Sequence, residues 1–455
     1  VATTLDRDVP DGTERGSSGI PRSGLAGRYV AGGTESRRSH PAIVGEQFAR
    51  TESSVRPAAR PSPVLTSVSD VDARLIKDSF AWLMADPSRA MEYFYARLFV
   101  QHPQIRALFP LTMSHTRAAV FEALARLIHG LDSPQASEQF LGQLARDHRK
   151  YGVTEKHHQP FFDALLATAE HFTGSGWTPQ LHAAWCAALD HFAAVLRAAA
   201  VADAAANPAW WVGEIVQHDQ RNATIAVITI RPDQQLDYVP GQYIAVQVPR
   251  WPRIWRCYSI ANAPRDNGLI DLHVRAVPGG TLSTALVGHC GTGDTMVLGA
   301  PRGEMRVGPD LERDLVCVAG GTGLAPIKAM IESVVCATRY GRRRAIALYF
   351  GVKRQEDLYD MRDLETLRLG YPSLTLIPVA EHDLDFSGRV GGLAKIVSEH
   401  PSFRSTDVYL SGPEGMVREM VRVLHSRVPA DCLHHDSLDA LRAASHPARV
   451  ADLSR

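Results

Sequence analysis

Apolar positions change their period twice along the chain, and those changes divide it. From about residue 69 to residue 206 they recur at three- and four-residue spacing, the period of helices with one buried face. Met91, Phe94, Tyr95, Leu98 and Phe99 share a broad face of a helix that stops at His102-Pro103, and a short turn then ends at Phe109-Pro110. Thr116, Val120, Leu124 and Leu127 line the next helix. Ser133-Pro134 starts another, along which Phe140, Leu144, His148 and Tyr151 align before Gly152. Thr154 and Thr178-Pro179 cap two more, the last carrying Leu181, Trp185, Leu189, Phe192 and Leu196. Strand signals are absent here, so this part reads as all-helical, with five or more helices.

Beyond residue 207 the period shortens. The runs ATIAVITI (223–230) and QYIAVQV (242–248) predict strands of a small antiparallel barrel. From about residue 310, short continuous apolar runs such as LVCVA (315–319) and VYL (408–410) alternate with helical patterns, as in a doubly wound parallel sheet. The predicted fold class is therefore multidomain: an all-α part (66–206), an antiparallel β-barrel (207–309) and an α/β doubly wound part (310–440). Residues 1–65 are rich in Arg, Ser, Gly and Pro with no apolar core to bury, and predict a disordered tail; 441–455 form a second tail. The first tail lacks an apolar segment and has interspersed acidic residues, which disfavours a targeting peptide.

Composition narrows the partners. Lys and Arg together number 49, as do Asp and Glu, so no basic surplus points to nucleic acid. The alanine-rich stretch after Trp185 is broken by Asp190, Arg197 and Asp203, so no run reads as a membrane span, and a cytoplasmic protein with no membrane partner is expected. Cys186, Cys257, Cys290, Cys317, Cys336 and Cys432 show no C-x-x-C spacing, which argues against iron-sulfur or zinc chemistry.

Candidate chemistry starts at residues 255–262, WRCYSIAN. In a strand Arg256 and Tyr258 point one way, with Cys257 and Ser259 on the other. A cation suits a diphosphate, an aromatic ring suits an isoalloxazine, and a hydroxyl suits its nitrogens. This is the pattern of a flavin seat. Gly279-Gly280-Thr281-Leu282-Ser283 follows a strand-like run and opens a helix, where backbone amides can approach a phosphate. Gly320-Gly321-Thr322-Gly323, with Pro326 behind it, follows the strand 315–319, and Ser411-Gly412-Pro413-Glu414-Gly415-Met416 follows 408–410. These are two walls of a crevice at the carboxyl ends of parallel strands. Singly each is weak: a half-buried strand tyrosine or a simple turn explains it. His148 is an imidazole on an apolar stripe, and among 19 histidines the ordinary explanation is a hydrogen-bonded core residue.

The order RCYS, GGTLS, GGTG and SGP with a methionine resembles the ferredoxin-reductase family of flavin and nicotinamide enzymes over about residues 208–435. FYARLF from Phe94, LFP ending at Pro110, and RDHRKYG around His148 are similar to the globin domain of flavohaemoglobins, whose partner is that same reductase unit. The resemblance implies His148 as proximal ligand to the iron of haem b, Tyr95 as the distal hydroxyl, and Phe109 as the ring on the porphyrin. It implies an FAD site at Tyr238, Arg256, Cys257, Tyr258, Ser259, Gly279, Gly280, Thr281 and Ser283. Gly320, Gly321, Thr322, Gly323, Pro326, Ser411, Gly412, Pro413 and Met416 would hold NADH or NADPH. The implied activity is nitric oxide dioxygenation, with electrons passing from NAD(P)H through FAD to haem. O2, NO and NAD(P)H are then the small-molecule partners.

Departures from the family pattern accompany the matches. Thr116 stands for a distal glutamine, a loss of about 0.5 to 1.5 kcal/mol of hydrogen bonding. His158 and the alanines around Ala198 stand for the tyrosine and glutamate that orient the proximal imidazole. His158 either accepts the imidazole proton in their place or is an exposed residue of a first turn. His435 and Leu438 stand for an aromatic pair over the flavin. Two alternatives follow: a haem-linked electron-transfer enzyme with another donor or acceptor, and an oxygen- or redox-sensing globin that gates a flavin reductase. Lys353 and Arg354 either meet a 2′-phosphate or are solvated.

Overall fold

The structure, a computed structural model, describes residues 69–307, 313–337, 343–403 and 405–436. The expected tails 1–65 and 441–455, and Leu438, lie outside them.

Six α-helices open the described chain: α1 (Asp70–Ala85), α2 (Pro87–Gln101), α3 (Ser114–His129), α4 (Pro134–Arg149), α5 (His158–Thr173) and α6 (Pro179–Ala206). Ser69, Asp86 and Thr178 cap α1, α2 and α6 with side-chain oxygens, and prolines occupy the first position of α2, α4 and α6. Such caps satisfy amides that the helix itself leaves unpaired. The apolar faces converge on Phe80, Phe94, Leu98, Leu165 and Trp185, all at most 1% exposed. Trp185 sets its indole against Ser79 Oγ at 3.0 Å, so the largest buried ring leaves no donor unpaired.

By length and composition α6 is apolar enough to cross a membrane, which corrects the expectation that no run is. In the fold, Leu181, Trp185, Leu189 and Phe192 lie in the helical core, and Asp203 is buried and ion-paired with Arg149. Its apolar face covers the other helices.

Strands β1 (Trp211–Gln220), β2 (Ile225–Pro232), β3 (Tyr243–Gln247), β4 (Arg256–Ser259), β5 (Ile270–Arg275) and β6 (Thr295–Leu298) form an antiparallel sheet ordered β4-β3-β6-β1-β2-β5, with α7 (Thr281–Gly288) between β5 and β6. A bridge from Ile260 to Leu272 joins the end of β4 to β5, so the two edges meet and the sheet closes as a barrel. Burial along β1 alternates over its first five residues before a bulge between Ile215 and Gln217 bends the strand.

The last part comprises β7 (Asp314–Gly320), α8 (Leu324–Ala337), β8 (Ile346–Val352), α9 (Met361–Gly370), β9 (Leu374–Ala380), β10 (Arg389–Val390), α10 (Leu393–Ser398), β11 (Thr406–Ser411), α11 (Glu414–Leu424) and β12 (Leu433–His435). The strands lie in the order β10-β9-β8-β7-β11-β12, all parallel. Nearly every residue of β7, β8 and β11 is buried, as strands covered by helices on both faces require. The chain runs outward from β7 in one direction through β8 and returns as β11 on its other side. The switch point therefore lies between β7 and β11.

A polar cluster packs this sheet against the barrel. Arg221, just after β1, pairs with Asp219 and Asp363 at 2.9 Å, Lys328 of α8 pairs with Asp360 at 2.7 Å, and His273 Nδ1 of β5 is hydrogen-bonded to the Tyr359 hydroxyl at 2.7 Å. Asp360 is fully buried, and desolvation raises its carboxyl to about 6 against the pull of Lys328.

Candidate functional site

On the helical part, α2 and the turn after it carry an aromatic cluster. Tyr95 lies 4.9 Å from Phe94 and 5.5 Å from each of Phe99 and Phe109 between ring centroids. Tyr95 is 2% exposed, and its hydroxyl is buried with no hydrogen-bond partner among the described residues. Burial raises the phenol well above its ordinary value, with Arg117 pulling against it, so the hydroxyl stays protonated. A desolvated donor without a partner costs about 1 to 3 kcal/mol, which a bound ligand relieves. Thr116, in the first turn of α3, is half-buried and makes no described hydrogen bond to Tyr95. The neighbouring Arg117, held by Glu92 at 3.1 Å, is the charge that acts on this hydroxyl. Sequence reading missed it, because an arginine on an amphipathic helix signals only a solvated face.

His148 sits in the last turn of α4 and lines a cavity of about 220 Å3 with Ala145, His158, Leu196, Ala200 and Ala204. Desolvation lowers its imidazole to about 4 against the pull of Asp147, so it is neutral, the form that ligates a metal. His158 is the first residue of α5, half-buried, with Nδ1 buried and unpartnered. It opens onto the same cavity as His148. Ala198 itself is exposed; Ala200 and Ala204 leave the space where a larger side chain would stand. Among the described residues no group of three or more His, Cys, Asp or Glu is placed to hold a metal. A lone neutral imidazole and, in the same helical part, a buried hydroxyl without a partner among the described residues suit an iron that brings its own four nitrogens, and so fit haem.

The flavin-seat residues lie at one rim of the barrel. Arg256, Cys257, Tyr258 and Ser259 pair along β3 with Val246, Ala245, Ile244 and Tyr243. Arg256 is exposed and, among the described residues, bonds the carbonyl of Trp255 alone, which leaves guanidinium donors for a diphosphate. Tyr238 donates to the carbonyl of Asn262 at 3.1 Å and accepts from its amide at 3.0 Å. Asn262, fully buried, also reaches the carbonyls of Ala263 and Leu269 and accepts from Asp271 N at 2.6 Å. Sequence reading passed over this knot, although Asn262 ends the WRCYSIAN run.

At the start of α7, Gly279 has φ of 75° and Gly280 is the N-cap, so the first amides of Thr281 and its successors are free for a phosphate. The Ser283 hydroxyl is spent on the loop, accepting from Val277 N and donating to the carbonyl of Gly280. His435 ends β12 half-buried, with its ring against the carbonyl of Asp436.

The two glycine loops expected to hold the nicotinamide cofactor meet at the switch point. A Cβ on Gly323 would collide with the carbonyl of Ser411 and lie 2.6 Å from Gly412 Cα; one on Gly412 would lie 3.0 Å from Gly320 Cα. Gly320 similarly accommodates Pro413 and Met416. Pro326 is buried in α8. Two adjacent strand ends thus present apposed glycine backbones and a helix start, a cradle for a dinucleotide diphosphate. Lys353 and Arg354 are both exposed beyond β8, and Arg354 lies 4.0 Å from Glu356.

Comparisons agree with this division. The globin family profile matches residues 92–196, the oxidoreductase FAD-binding domain 213–307, and the oxidoreductase NAD-binding domain 317–422. The xylene/toluene monooxygenase electron transfer component of Pseudomonas putida is 36% identical over 207 residues, 44% of this chain and 58% of that protein. An anthranilate 1,2-dioxygenase electron transfer component from Acinetobacter baylyi is 30% identical, and the chain spans 61% of its length. The chain thus spans about three-fifths of these reductases. A flavohemoprotein of Bordetella pertussis is 26% identical over 381 residues, covering 77% of this chain and 93% of the relative. A flavohemoglobin structure from Malassezia yamatoensis with bound FAD and heme superposes with a TM-score of 0.68 at 16% identity, covering 81% of this chain and 98% of that one. The chain thus carries a globin domain followed by FAD-binding and NAD-binding oxidoreductase domains, which imply haem, FAD and NAD(P)H as cofactors, and this order matches the architecture of flavohaemoglobins.

Proposed function

We propose that the chain is an NAD(P)H-dependent flavohaem oxidoreductase that delivers electrons through FAD to haem, and that nitric oxide dioxygenation is its reaction. The observation that carries the reading is the buried, protonated, unpartnered hydroxyl of Tyr95 beside Phe109, with the neutral imidazole of His148 on α4. When bound, FAD would take one hydride from NAD(P)H and pass its two electrons on singly, and haem would supply a one-electron site for dioxygen. The Gly320–Gly323 and Ser411–Met416 loops hold the diphosphate of the nicotinamide; Arg256 and Tyr258 hold and cover the flavin. Phe94, Phe99 and Phe109 would exclude water, and the Tyr95 hydroxyl would donate a hydrogen bond to a bound diatomic ligand. NO, O2 and one electron combine to nitrate, so one NAD(P)H supports two turnovers.

A second reading draws on the cavity beside His148. The small side chains of Ala200 and Ala204 leave it open where a tight proximal contact would raise ligand basicity, which favours an acceptor other than NO. The assay separates them: NO consumption that requires both O2 and NAD(P)H is expected for the dioxygenase. Haem that NAD(P)H reduces while NO persists in the presence of O2 overturns it and selects the second reading.

A further inference from the structure

Two arginines of the barrel reach across to the helical part, and both land beside the haem-facing residues. Arg253 donates from Nη1 to the carbonyls of Ala107 at 3.1 Å and Phe109 at 3.3 Å. Its φ is 68°, the one non-glycine value in the left-handed region among the described residues. Strain of this kind persists only where the surroundings over-determine it and collects where a side chain must be aimed. Here the turn is fixed by Arg253 N donating to Gln247 Oε1 at 2.7 Å, and it aims the guanidinium at the Phe109 backbone.

Arg302, beyond β6, makes the second grip. It pairs with Asp147 at 2.5 Å and donates to the carbonyl of Gln143 at 2.9 Å, two points one turn apart on α4. Asp147 also takes Lys150 at 2.5 Å, whose ammonium lies over the rings of Tyr151 and Trp255. Those two rings meet edge to face at 6.0 Å across the junction. A fork held at two points fixes the rotation of α4 about its axis. Asp147 faces the barrel, and His148, the next residue, is thereby turned toward its cavity.

We propose that Arg253 and Arg302 are positioning residues for haem, one setting the Phe109 corner and the other the direction of the His148 imidazole, so that haem retention depends on docking of the barrel. The proposal rests on His148 and Phe109 being haem residues. It makes the reductase part of the structure that shapes the haem crevice.

The test uses full-length holoprotein and follows haem transfer to excess apomyoglobin. Arg253→Ala and Arg302→Ala should lose haem about tenfold faster or more, with FAD content and flavin reduction by NADH unchanged. Arg302→Lys keeps the charge but replaces the two-nitrogen fork by a single ammonium, and its rate should fall between. Unaltered haem loss in both alanine variants overturns the proposal. His148→Ala distinguishes the failures: loss of haem there with normal retention in the arginine variants sinks only this proposal. Unchanged haem content and spectrum in His148→Ala sinks the underlying reading as well.

Discussion

At the scale of single residues the Tyr95 hydroxyl is the sharpest feature. It is buried, kept protonated, and lacks a hydrogen-bond partner among the described residues, so under the proposed function its replacement removes one hydrogen bond to a bound ligand and little else. Tyr95→Phe should speed O2 dissociation by roughly tenfold, the rate equivalent of about 1.4 kcal/mol, in stopped-flow measurements. An unchanged rate would remove Tyr95 from the distal role. His158 is argued differently, because its unpartnered Nδ1 and the His148 imidazole open onto one cavity. His158→Phe should lower the iron–histidine stretching frequency in resonance Raman spectra of the ferrous protein; an identical frequency means His158 never accepts that proton. Tyr95, Phe109 and His148 can be singled out in the sequence as candidates because local motifs carry them. Arg117 and Arg253 cannot, since what matters is where a long side chain ends, and neither period nor spacing encodes that.

At the scale of elements, pattern served well where burial alternates or runs continuously. The strand 315–319 was read as buried and parallel, and β7 pairs with β8 and β11 in that manner. The sequence also showed glycines after β7 and β11, but not that the two loops press together; that follows from the strand order, a property of the whole sheet. Gly323→Ala places a methyl against the Ser411 carbonyl and forces the loops apart, at about 1 to 3 kcal/mol. The Michaelis constant for NAD(P)H should rise while bound FAD, measured by absorbance, stays constant. A variant with unaltered KM would show that the apposition does not shape the nicotinamide site. Length and composition alone fit α6 to a membrane, and only packing of Trp185 and Phe192 into the core shows which face is covered.

At the scale of the molecule the barrel and the parallel sheet are joined by a polar cluster, and His273 makes that junction pH-sensitive. Burial holds its imidazole well below the ordinary 6.5, with Lys328 and Arg221 adding to the effect. Below 6.5 the unfolded chain takes up a proton that the folded chain refuses, so stability falls as pH drops from 6.5 toward the folded value. The loss approaches about 1.4 kcal/mol per pH unit, and above 6.5 this group contributes no dependence. Urea midpoints followed by flavin fluorescence should therefore fall between about pH 7.5 and about pH 5.5, and His273→Gln should flatten the fall. Equal slopes in both proteins would exclude His273 as the source. None of this was visible in sequence, where His273 is one more residue of a strand and its partner Tyr359 stands far along the chain.

The junction between α6 and β1 has a kinetic consequence. Arg149, next to His148, pairs with Asp203 in the last turn of α6 and donates to the carbonyls of Asn207 at 3.0 Å and Pro208 at 3.4 Å. The few residues between α6 and β1 are thereby pinned to the same helix end that Arg302 grips. A tether this short sets a local concentration on the order of millimolar. Any exchange between the globin and the barrel is then first-order and indifferent to dilution, whereas the same two parts supplied as separate chains would follow second-order kinetics.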